Sequence, residues 1–310
     1  MAVGVTNGYY VAGQTTNSYT TNFIPEIWSG KLQVKFYQST VLGEITNNDW
    51  EGEITGQGDK INIRTIPTIT IRDYTKGLNL TNEVPISTPT TLSIDHGKYF
   101  SVVVDDIDKA QSDLALIDMF TNDAAQQMKI AIDGAVLNDI KGAAANANKG
   151  ATAGASSANI NLGTDATPFS FSKVTALDCI LNMGLALDEQ NVPEDGRWLV
   201  IPAWAAALIK GSDLRQAYLT GDDTSILRNG KLGMIDRFTV YVSNNLPKTA
   251  DNDYYIMAGT RDAVSFASQI TDVETLRSTS TFGNIMRGLN VYGYKVVKPE
   301  ALINAVIVKA

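Results

Sequence analysis

Cysteine and histidine are almost absent from this chain of 310 residues, which contains one of each. Cys179 cannot form an intramolecular disulfide, which fits a reducing compartment or a fold that needs no covalent cross-link. A structural zinc site needs about four ligands, so Cys179 and His96 cannot build one by themselves. The sequence also lacks a nucleophile elbow and a phosphate-binding loop. We therefore expect no catalytic residue, no metal site and no cofactor.

Long apolar runs and an excess of basic charge are also missing. No stretch approaches the roughly 18 apolar residues that a membrane-spanning helix needs, and residues 1–22 lack the basic and apolar regions of a secretory signal. The 25 Lys and Arg residues are outnumbered by 33 Asp and Glu residues, which gives a formal net charge of -8. Because tight binding to nucleic acid requires clustered basic side chains, we expect neither a membrane partner nor specific DNA binding.

The two rare residues are expected to have structural positions. His96 lies in a predicted turn between strands, and a surface turn histidine is favoured over a catalytic base, which would need a converging nucleophile and orienting group. Cys179 falls within the apolar pattern of a predicted helix, so it is expected to be a core thiol.

Residues 44–104 have the pattern of β-strands with one half-buried face. Ile61 and Ile63 alternate with polar residues, and Ile69 and Ile71 do the same after an interruption at Pro67. Proline confines such a segment to a sheet edge or a bend. Because a two-stranded hairpin is marginally stable on its own, we expect these isoleucines to lie on another surface.

One long helix is predicted for residues 105–142. Asp105, Asp106 and Asp108 lie at its start, where carboxylates complement free backbone N–H groups, and Gly142 suits its end. Apolar residues recur between them at helical spacing, namely Leu114, Ile117, Phe120, Ala124, Met128, Ala131, Ala135 and Leu137. The next segment, residues 142–168, is rich in Ala, Gly and Asn and is interpreted as a surface loop or an insertion.

The second half of the chain alternates helices and strands. Ser172 is placed to cap a helix whose apolar positions are Val174, Leu177, Leu181 and Leu185. Strands are predicted around residues 198–201, 238–242, 254–257, 289–297 and 303–308. This alternation indicates an α/β or α+β core with a largely antiparallel sheet.

Five sequence features occur in a fixed order along the chain. They are FIPEIWSGKL at residues 23–32, the Asp-Asp pair at 105–106, GRWLVIPAWAAALIK at 196–210, LRNGKLGMIDRFTVYVSNNLP at 227–247 and RGLNVYGYKVVKPEALINAVIV at 287–308. In this order and spacing the set resembles the major capsid (coat) proteins of tailed bacteriophages. The resemblance covers most of the chain from residue 23 to its end.

The resemblance implies an α+β phage coat fold, also called the Hong Kong ninety-seven-like fold. Its parts are an N-terminal arm, an extended β-hairpin loop, a peripheral domain built on a spine helix, and an axial domain. By similarity these parts are residues 1–43, 44–98, 99–198 and 199–290, and the strands in 291–310 are expected to return to the peripheral sheet. The spine helix would be residues 105–142, followed by the low-complexity loop 142–168.

The implied function is structural. Copies would form the hexamers and pentamers of an icosahedral head that encloses double-stranded DNA without binding it specifically, after assembly in the host bacterial cytoplasm. A separate scaffolding protein, a portal and possible decoration proteins are the expected partners. The alternatives are the shell of an encapsulin-like nanocompartment, a β-rich surface adhesin suggested by the Asn- and Thr-rich arm, and a hydrolase with an unrecognised site. The missing secretory signal argues against the adhesin.

Candidate subunit contacts follow from the resemblance and from the apolar alternation. The arm and the extended loop are expected to lie on neighbouring copies, and basic side chains in the loop would meet acidic groups there. The candidate residues are Phe23, Ile24, Pro25, Glu26, Trp28, Ile61, Ile63, Arg64, Ile69, Ile71, Arg72 and Lys76. Some family members form a Lys–Asn cross-link, but no Asn and Glu partners are identified for Lys60 or Lys76.

Overall fold

The computed structural model describes residues 37–49, 60–67, 69–87, 89–105, 116–212, 233–279 and 282–310. The arm contacts predicted at Phe23, Ile24, Pro25, Glu26 and Trp28 therefore lie outside the described residues, as does most of the predicted arm. Within the described ranges the fold combines helices with two larger sheets and a short hairpin ladder. The predicted α+β class is confirmed.

The helices and strands are numbered in chain order. The helices are α1 (Leu42–Ile45), α2 (Leu116–Ile140), α3 (Thr175–Glu189) and α4 (Ala203–Lys210). The strands are β1 (Lys60–Ile63), β2 (Thr90–Ser93), β3 (His96–Asp105), β4 (Phe169–Phe171), β5 (Arg197–Ile201), β6 (Met234–Ile235), β7 (Phe238–Val242), β8 (Tyr254–Thr260), β9 (Val264–Arg277), β10 (Gly283–Val296) and β11 (Leu302–Lys309).

A six-stranded sheet lies at the centre of the main hydrophobic core. Its order is β4-β11-β8-β5-β7-β6, with parallel pairing of β4 to β11 and of β5 to β7 and antiparallel pairing elsewhere. Every residue of β5 is buried, as its continuous apolar run predicts for a strand covered on both faces. Buried side chains of all four helices join this sheet in one cluster, so the sheet and the helices form a single core.

A second sheet has three antiparallel strands in the order β3-β10-β9. Helix α2 contacts β3 and β10, and the hydroxyl of Thr121 donates a hydrogen bond to Sδ of Met286 on the covered face of the sheet. The prediction for His96 is wrong, because this residue begins β3 and its ring stacks on Tyr294 with centroids 4.9 Å apart. His96 also pairs with Tyr292 of β10, so it is part of the sheet and not of the turn.

Several predicted boundaries fall inside regular elements. The divisions at 43/44, 98/99, 198/199 and 290/291 interrupt α1, β3, β5 and β10 respectively. At the last one, β10 pairs with β3 and β9 on both sides of the division. Residues 291–296 therefore belong to the sheet beside α2, whereas β11 belongs to the six-stranded sheet.

The predicted long helix is present from Leu116 to Ile140, but it does not begin at the predicted residue. Asp105 is the last residue of β3, so the helix does not begin there, and residues 106–115 lie outside the described residues. Helix α2 ends at Ile140, and a turn at Lys141 and Gly142 follows as predicted. Its deepest side chains are Ile132, Val136, Leu137 and Ile140, whereas Ala131 is exposed. The apolar stripe is thus shifted from the predicted one in the last turns.

The Ala- and Gly-rich segment 142–168 is not a surface loop throughout. Ala153, Ile160 and Leu162 belong to the main core. Asn148 is fully buried, and its side-chain amide donates hydrogen bonds to the carbonyl oxygens of Glu300 (2.6 Å) and Leu302 (3.0 Å). Small side chains let this irregular backbone approach β11 closely, and a buried amide supplies the donors that a regular ladder would otherwise supply.

Helix α3 buries the face opposite to the predicted one. Its buried residues are Ala176, Cys179, Ile180, Met183, Gly184, Ala186 and Leu187. Val174, Leu181 and Leu185, which the spacing predicts as the core stripe, are exposed large hydrophobic residues. Both faces of the helix are apolar, and the small residues on one face permit the closer approach to the sheet. The prediction that Cys179 is a core thiol is confirmed.

Replacing Asn148 with alanine is expected to lower the free energy of unfolding by about 1–3 kcal/mol, because two buried carbonyl groups lose their donor. Urea unfolding of the unassembled subunit measures this change. Asn146, which lies exposed in the same 3₁₀ turn, provides the control, and Asn146→Ala should stay within about 0.5 kcal/mol of the wild type. Equal effects of the two substitutions would contradict the proposed role of the buried amide.

Candidate subunit interface

The extended loop is a hairpin with strand pairing at its base, and two contacts nearer its tip fit the same register. At the base, β1 and β2 pair antiparallel, with Ile61 opposite Leu92. Continuing this register places Thr70 opposite Glu83, and the N–H of Thr70 donates a hydrogen bond to that carboxylate at 3.3 Å. It also places Thr75 opposite Leu78, where the Leu78 N–H donates to the Thr75 carbonyl at 3.0 Å. The chain reverses between them at Lys76 and Gly77, whose φ of 89° favours glycine.

This register gives the hairpin two chemically different faces. Successive side chains alternate between the faces, so the face of Ile63 continues along both arms. It carries the exposed apolar residues Ile69, Ile71, Leu78, Leu80, Val84 and Ile86, with Thr65, Asp73, Thr75 and Asn82 as polar exceptions. The opposite face carries Arg64, Thr70, Arg72, Asn79, Thr81 and Glu83, with Ile66 and Tyr74 as apolar exceptions. We call the first of these the apolar hairpin face.

The base of the apolar hairpin face is covered by the chain's own body. Ile63 is 8% exposed and clusters with Leu92, Ile94 and Ala267, and Ile61 packs against the same group. Ile63 is therefore covered within its own chain, whereas Ile61 is only partly buried, and its contact with another copy stays a prediction. Close approach is possible because β10 has a glycine at this point, where any β-carbon at Gly293 would collide with the Ser93 carbonyl oxygen.

Beyond the base, the same face is exposed. Ile69 is 62% exposed and Ile71 is 90% exposed. Arg64, Arg72 and Lys76, the predicted basic contacts, are also exposed on this loop. The structure therefore brings these five candidates together on one projecting hairpin and leaves their side chains available to a neighbour.

A second exposed apolar surface lies on the side of the three-stranded sheet that faces away from α2. Leu289, Arg287 and Ile285 of β10 point to this side, because Met286 between them is buried against the helix. Their partners on β3 are Tyr99, Ser101 and Val103, and the partners on β9 include Glu274 and Leu276. We call these eight residues the outer sheet face. Sequence reasoning missed it, although the alternation in β3 and β10 is a usable signal.

The segment that precedes the hairpin is fastened to the body by a buried carboxylate. Asp133 on α2 is 1% exposed, and its Oδ1 accepts hydrogen bonds from the N–H groups of Val41 and Leu42, both at 3.0 Å. Its Oδ2 accepts one from the side-chain amide of Asn245 at 2.9 Å. Asp133 was missed because the predicted stripe of α2 did not include this position.

Burial raises the pKa of Asp133, and the hydrogen bonds from Asn245, Val41 and Leu42 lower it by less. Burial therefore disfavours the charged form of this carboxyl group, and the three donors offset part of that effect. The same segment is tied to the body again by Ser243, whose hydroxyl donates to the Ser39 carbonyl at 2.8 Å. These contacts fix the position of residues 39–42 on the body.

No group of three His, Cys, Asp or Glu side chains within the described ranges is arranged to hold a metal ion. In the same part of the chain, no helix is both long enough and apolar enough to cross a membrane. What the described residues do assemble is a large core with two exposed apolar surfaces, the apolar hairpin face and the outer sheet face. This arrangement is typical of a structural subunit that is completed by other subunits.

Comparison with known proteins agrees with this class. The chain matches the Phage capsid protein family over residues 88–305. A structure from Mycobacterium phage Che8 shares 30% sequence identity and a TM-score of 0.75, over 93% of this chain and 97% of the other. The capsid of Cyanophage P-SCSP1u has 14% identity and a TM-score of 0.70, covering 93% and 94% of the two chains. The capsid of an empty GTA particle has 12% identity and a TM-score of 0.67, covering 94% and 97%. No curated protein sequence matches.

The chain belongs to the Phage capsid protein family. It is a major capsid protein with the phage coat fold, as the sequence resemblance predicts. The family and the structural neighbours are structural capsid proteins and not enzymes. Its place is therefore the capsid of the virion, where capsid proteins assemble as multimers in a phage head.

Substitution of Asp133 with asparagine is expected to change how stability depends on pH. A carboxyl group whose pKa is raised in the folded state stabilises the fold fully below its unfolded pKa and loses that contribution as the pH rises through the folded pKa. The stability of the wild type relative to Asp133→Asn should therefore be higher at about pH 4 than at about pH 7. Urea unfolding at both pH values measures the difference, and an opposite trend would refute the interpretation.

Proposed function

We propose that copies of this chain form hexamers and pentamers that close into an icosahedral head around double-stranded DNA. The observation that carries the proposal is the exposure of Ile69 and Ile71 on a hairpin face whose base is buried. This face is buried at its base and exposed to solvent along the rest of its length, so the single chain leaves most of its apolar surface uncovered. A neighbouring copy in the head supplies the missing cover.

The gain from covering the hairpin is at most similar in size to the stability of one domain. Burying one isoleucine side chain contributes about 1.5–3 kcal/mol, and six large apolar residues are exposed on the apolar hairpin face. Part of this gain is offset by the loss of chain entropy on docking. Docking on a neighbour's peripheral domain therefore orders the hairpin and joins the two subunits in one step.

Basic side chains along the hairpin determine where the contact forms more than how tightly it holds. Arg64 and Arg72 lie on the face opposite to the apolar one, and Lys76 lies at the tip. Acidic groups of a neighbouring peripheral domain are their proposed partners. Exposed ion pairs of this kind contribute little affinity, but they select one register of docking over its alternatives.

A hairpin that projects from one copy onto a different surface of the next produces a head-to-tail contact. Contacts of this type generate rings when the rotation between copies closes. Small changes in the angle of the hairpin would allow rings of six and of five. The arm residues Phe23, Ile24, Pro25, Glu26 and Trp28 are proposed to add further contacts between copies. A separate scaffolding protein, a portal and decoration proteins are the proposed partners of the assembled shell.

The charge of the chain agrees with a container for DNA. A formal net charge of -8 per copy makes a wall that repels phosphate weakly, so DNA can enter and leave without being trapped. Assembly would take place in the cytoplasm of the host bacterium, where packaging also occurs.

The direct experiment is electron microscopy and sedimentation of the purified chain, alone and co-expressed with the structural proteins of its phage. Closed icosahedral shells with capsomers of six and five copies are the expected result. Nuclease-protected double-stranded DNA inside shells from infected cells distinguishes a head from a nanocompartment, which would contain a cargo protein. A chain that stays monomeric under both conditions would disprove the proposal.

A double substitution tests the hairpin contact itself. Ile69→Asp with Ile71→Asp places two charges on the apolar hairpin face at positions that are exposed in the single chain. The subunit should therefore fold normally, whereas docking would bury two unpaired charges and shell formation should fall at least tenfold. Sedimentation measures the shells, and circular dichroism verifies the fold.

The matched control puts the same charges on the other face of the same hairpin. Asn79 and Thr81 are exposed there, so Asn79→Asp with Thr81→Asp should leave shell assembly near the wild-type level. If the two double variants assemble equally well, the apolar face does not dock. If both fail, the hairpin tolerates no added negative charge, and the assignment of one face is incorrect.

A further inference from the structure

The C-terminal end of α3 carries charge of the sign that a helix end disfavours. Asp188 and Glu189 are its last two residues, and no basic side chain lies in its last turn. The free carbonyl groups at the C-terminal end of a helix give it a partial negative charge, so acidic side chains there are unfavourable for the helix itself. Any stabilisation from these two carboxylates must therefore come from contacts outside the helix.

The carboxylate of Glu189 lies in a cradle of backbone N–H groups from the Ala- and Gly-rich segment. Its Oε2 accepts hydrogen bonds from the N–H groups of Ser156 at 2.8 Å and Ser157 at 3.1 Å. Gly154 suits this approach, because its φ of 105° favours glycine and a β-carbon there would crowd Oε2 of Glu189. Successive N–H groups that converge on one oxygen form an anion-binding concavity. Glu189 is thus the anion that this cradle holds.

The loop that forms the cradle buries little apolar surface at its tip. Its ends are joined where the backbones of Ala153 and Ile160 pair, with N···O distances of 2.8 and 2.9 Å, and both residues are buried. Between them, residues 155–159 are exposed and are all Ala, Ser or Asn. Apolar burial therefore fixes the ends of the loop, whereas its tip depends on hydrogen bonds such as those to Glu189.

Asp188 makes a second contact in a different direction. Its Oδ1 accepts a hydrogen bond from Arg197 at 2.7 Å, and its Oδ2 accepts one from Arg237 at 2.8 Å. Arg197 is buried on β5, so this carboxylate balances a charge inside the core. Removing one partner of a buried ion pair is strongly destabilising. The Asp188 contact is therefore part of the core, whereas the Glu189 contact holds an exposed loop.

Two more acidic groups border the Asp188 contact. Oε1 of Glu194 lies 2.9 Å from Nη1 of Arg237, and Oδ1 of Asp236 lies 3.8 Å from Nε of the same guanidinium. Burial raises the pKa of Asp188, but the hydrogen bonds and charges of Arg197 and Arg237 together lower it by more. Acid therefore weakens this contact too, so a test of Glu189 has to leave it unchanged.

The cradle lowers the pKa of Glu189, first through the N–H groups of Ser156 and Ser157 and then through the Ser157 hydroxyl. These donors are neutral groups, and residues 154–158 include no titratable side chain. A carboxyl group whose pKa is lowered in the folded state stabilises that state above its unfolded pKa, and the contribution is lost as the pH falls through the folded pKa. The contact is therefore complete at neutral pH and lost in acid.

We propose that Glu189 and the backbone cradle of residues 154–157 form an acid-sensitive latch, which holds the loop of residues 154–159 against the end of α3 and releases it without unfolding the core. The latch lies within one subunit, so it does not depend on how copies pack. Protonation of one carboxyl group thereby changes an exposed part of the subunit surface.

Substitution of Glu189 with glutamine tests the latch, because glutamine keeps the size of the side chain and removes its charge. Hydrogen bonds to a charged acceptor are stronger than those to a neutral one. Hydrogen exchange of the Ser156 and Ser157 amides in the unassembled subunit at pH 7 should therefore become about tenfold faster. Mass spectrometry measures this change, and the amides of β5 should keep their wild-type exchange.

The matched control removes a charge from the other end of the same helix. Asp178 is an exposed residue in the first turn of α3, so Asp178→Asn should leave the exchange of both loop amides close to that of the wild type. A second measurement compares the wild type with Glu189→Gln at a series of pH values. The ratio of their loop exchange rates should fall towards one at about pH 3, where Glu189 is neutral as well.

The possible outcomes decide the proposal without reference to shell formation. Equal exchange of the loop amides in the wild type and Glu189→Gln at pH 7 would overturn it. A ratio that stays constant down to about pH 3 would also overturn it, because the shape of the side chain and not its charge would then hold the loop. Loss of protection in β5 together with the loop would place the contact in the core and would exclude a separate release. Faster exchange confined to the loop, with a ratio that falls in acid, supports the latch.

Discussion

The contact between the hairpin and the three-stranded sheet is the constraint from which the other properties of the molecule follow. At its base this contact is made within the chain, where Gly293 lets the Ser93 carbonyl approach the sheet and Ile63 is excluded from water. Further along, both surfaces continue without cover. Such a chain has a well-packed core and leaves apolar surface exposed to solvent. Under the proposed assembly, neighbouring copies remove the remaining apolar surface from water.

A second constraint is the attachment of the segment that leads to the hairpin. Asp133 receives two backbone N–H groups of that segment and the amide of Asn245, so one carboxylate joins α2, α1 and the loop after β7. Burial disfavours the charged form of this carboxyl group, and the three converging donors offset part of that cost. The segment that leads to the hairpin is consequently held in a fixed position on the body. Under the proposed assembly into rings of different size, the projecting loop adapts and the body does not.

Much of the fold could be predicted from the sequence, and the failures have identifiable causes. Continuous apolar runs located β5, and the apolar spacing located α3. The spacing could not decide which side of α3 is buried, because Leu181 and Leu185 are as apolar as the residues that face the sheet. The composition of the segment around Asn148 led to the prediction of a surface loop. Small residues are equally compatible with close packing, which is what the structure has there. For the interface, alternation identified the isoleucines, but only the structure shows which of them the chain already covers.

The register of the hairpin has a consequence for how related heads can differ in size. Inserting one residue into an arm would turn every following side chain to the opposite face and expose the polar side to the neighbour. Inserting a pair at opposite positions in both arms preserves the faces and the register, and it lengthens the hairpin by about 6.8 Å. Insertions of an even number of residues can therefore change the length of the loop in discrete steps during evolution. The turn at Gly77, which determines where the chain reverses, would travel outward unchanged with each step.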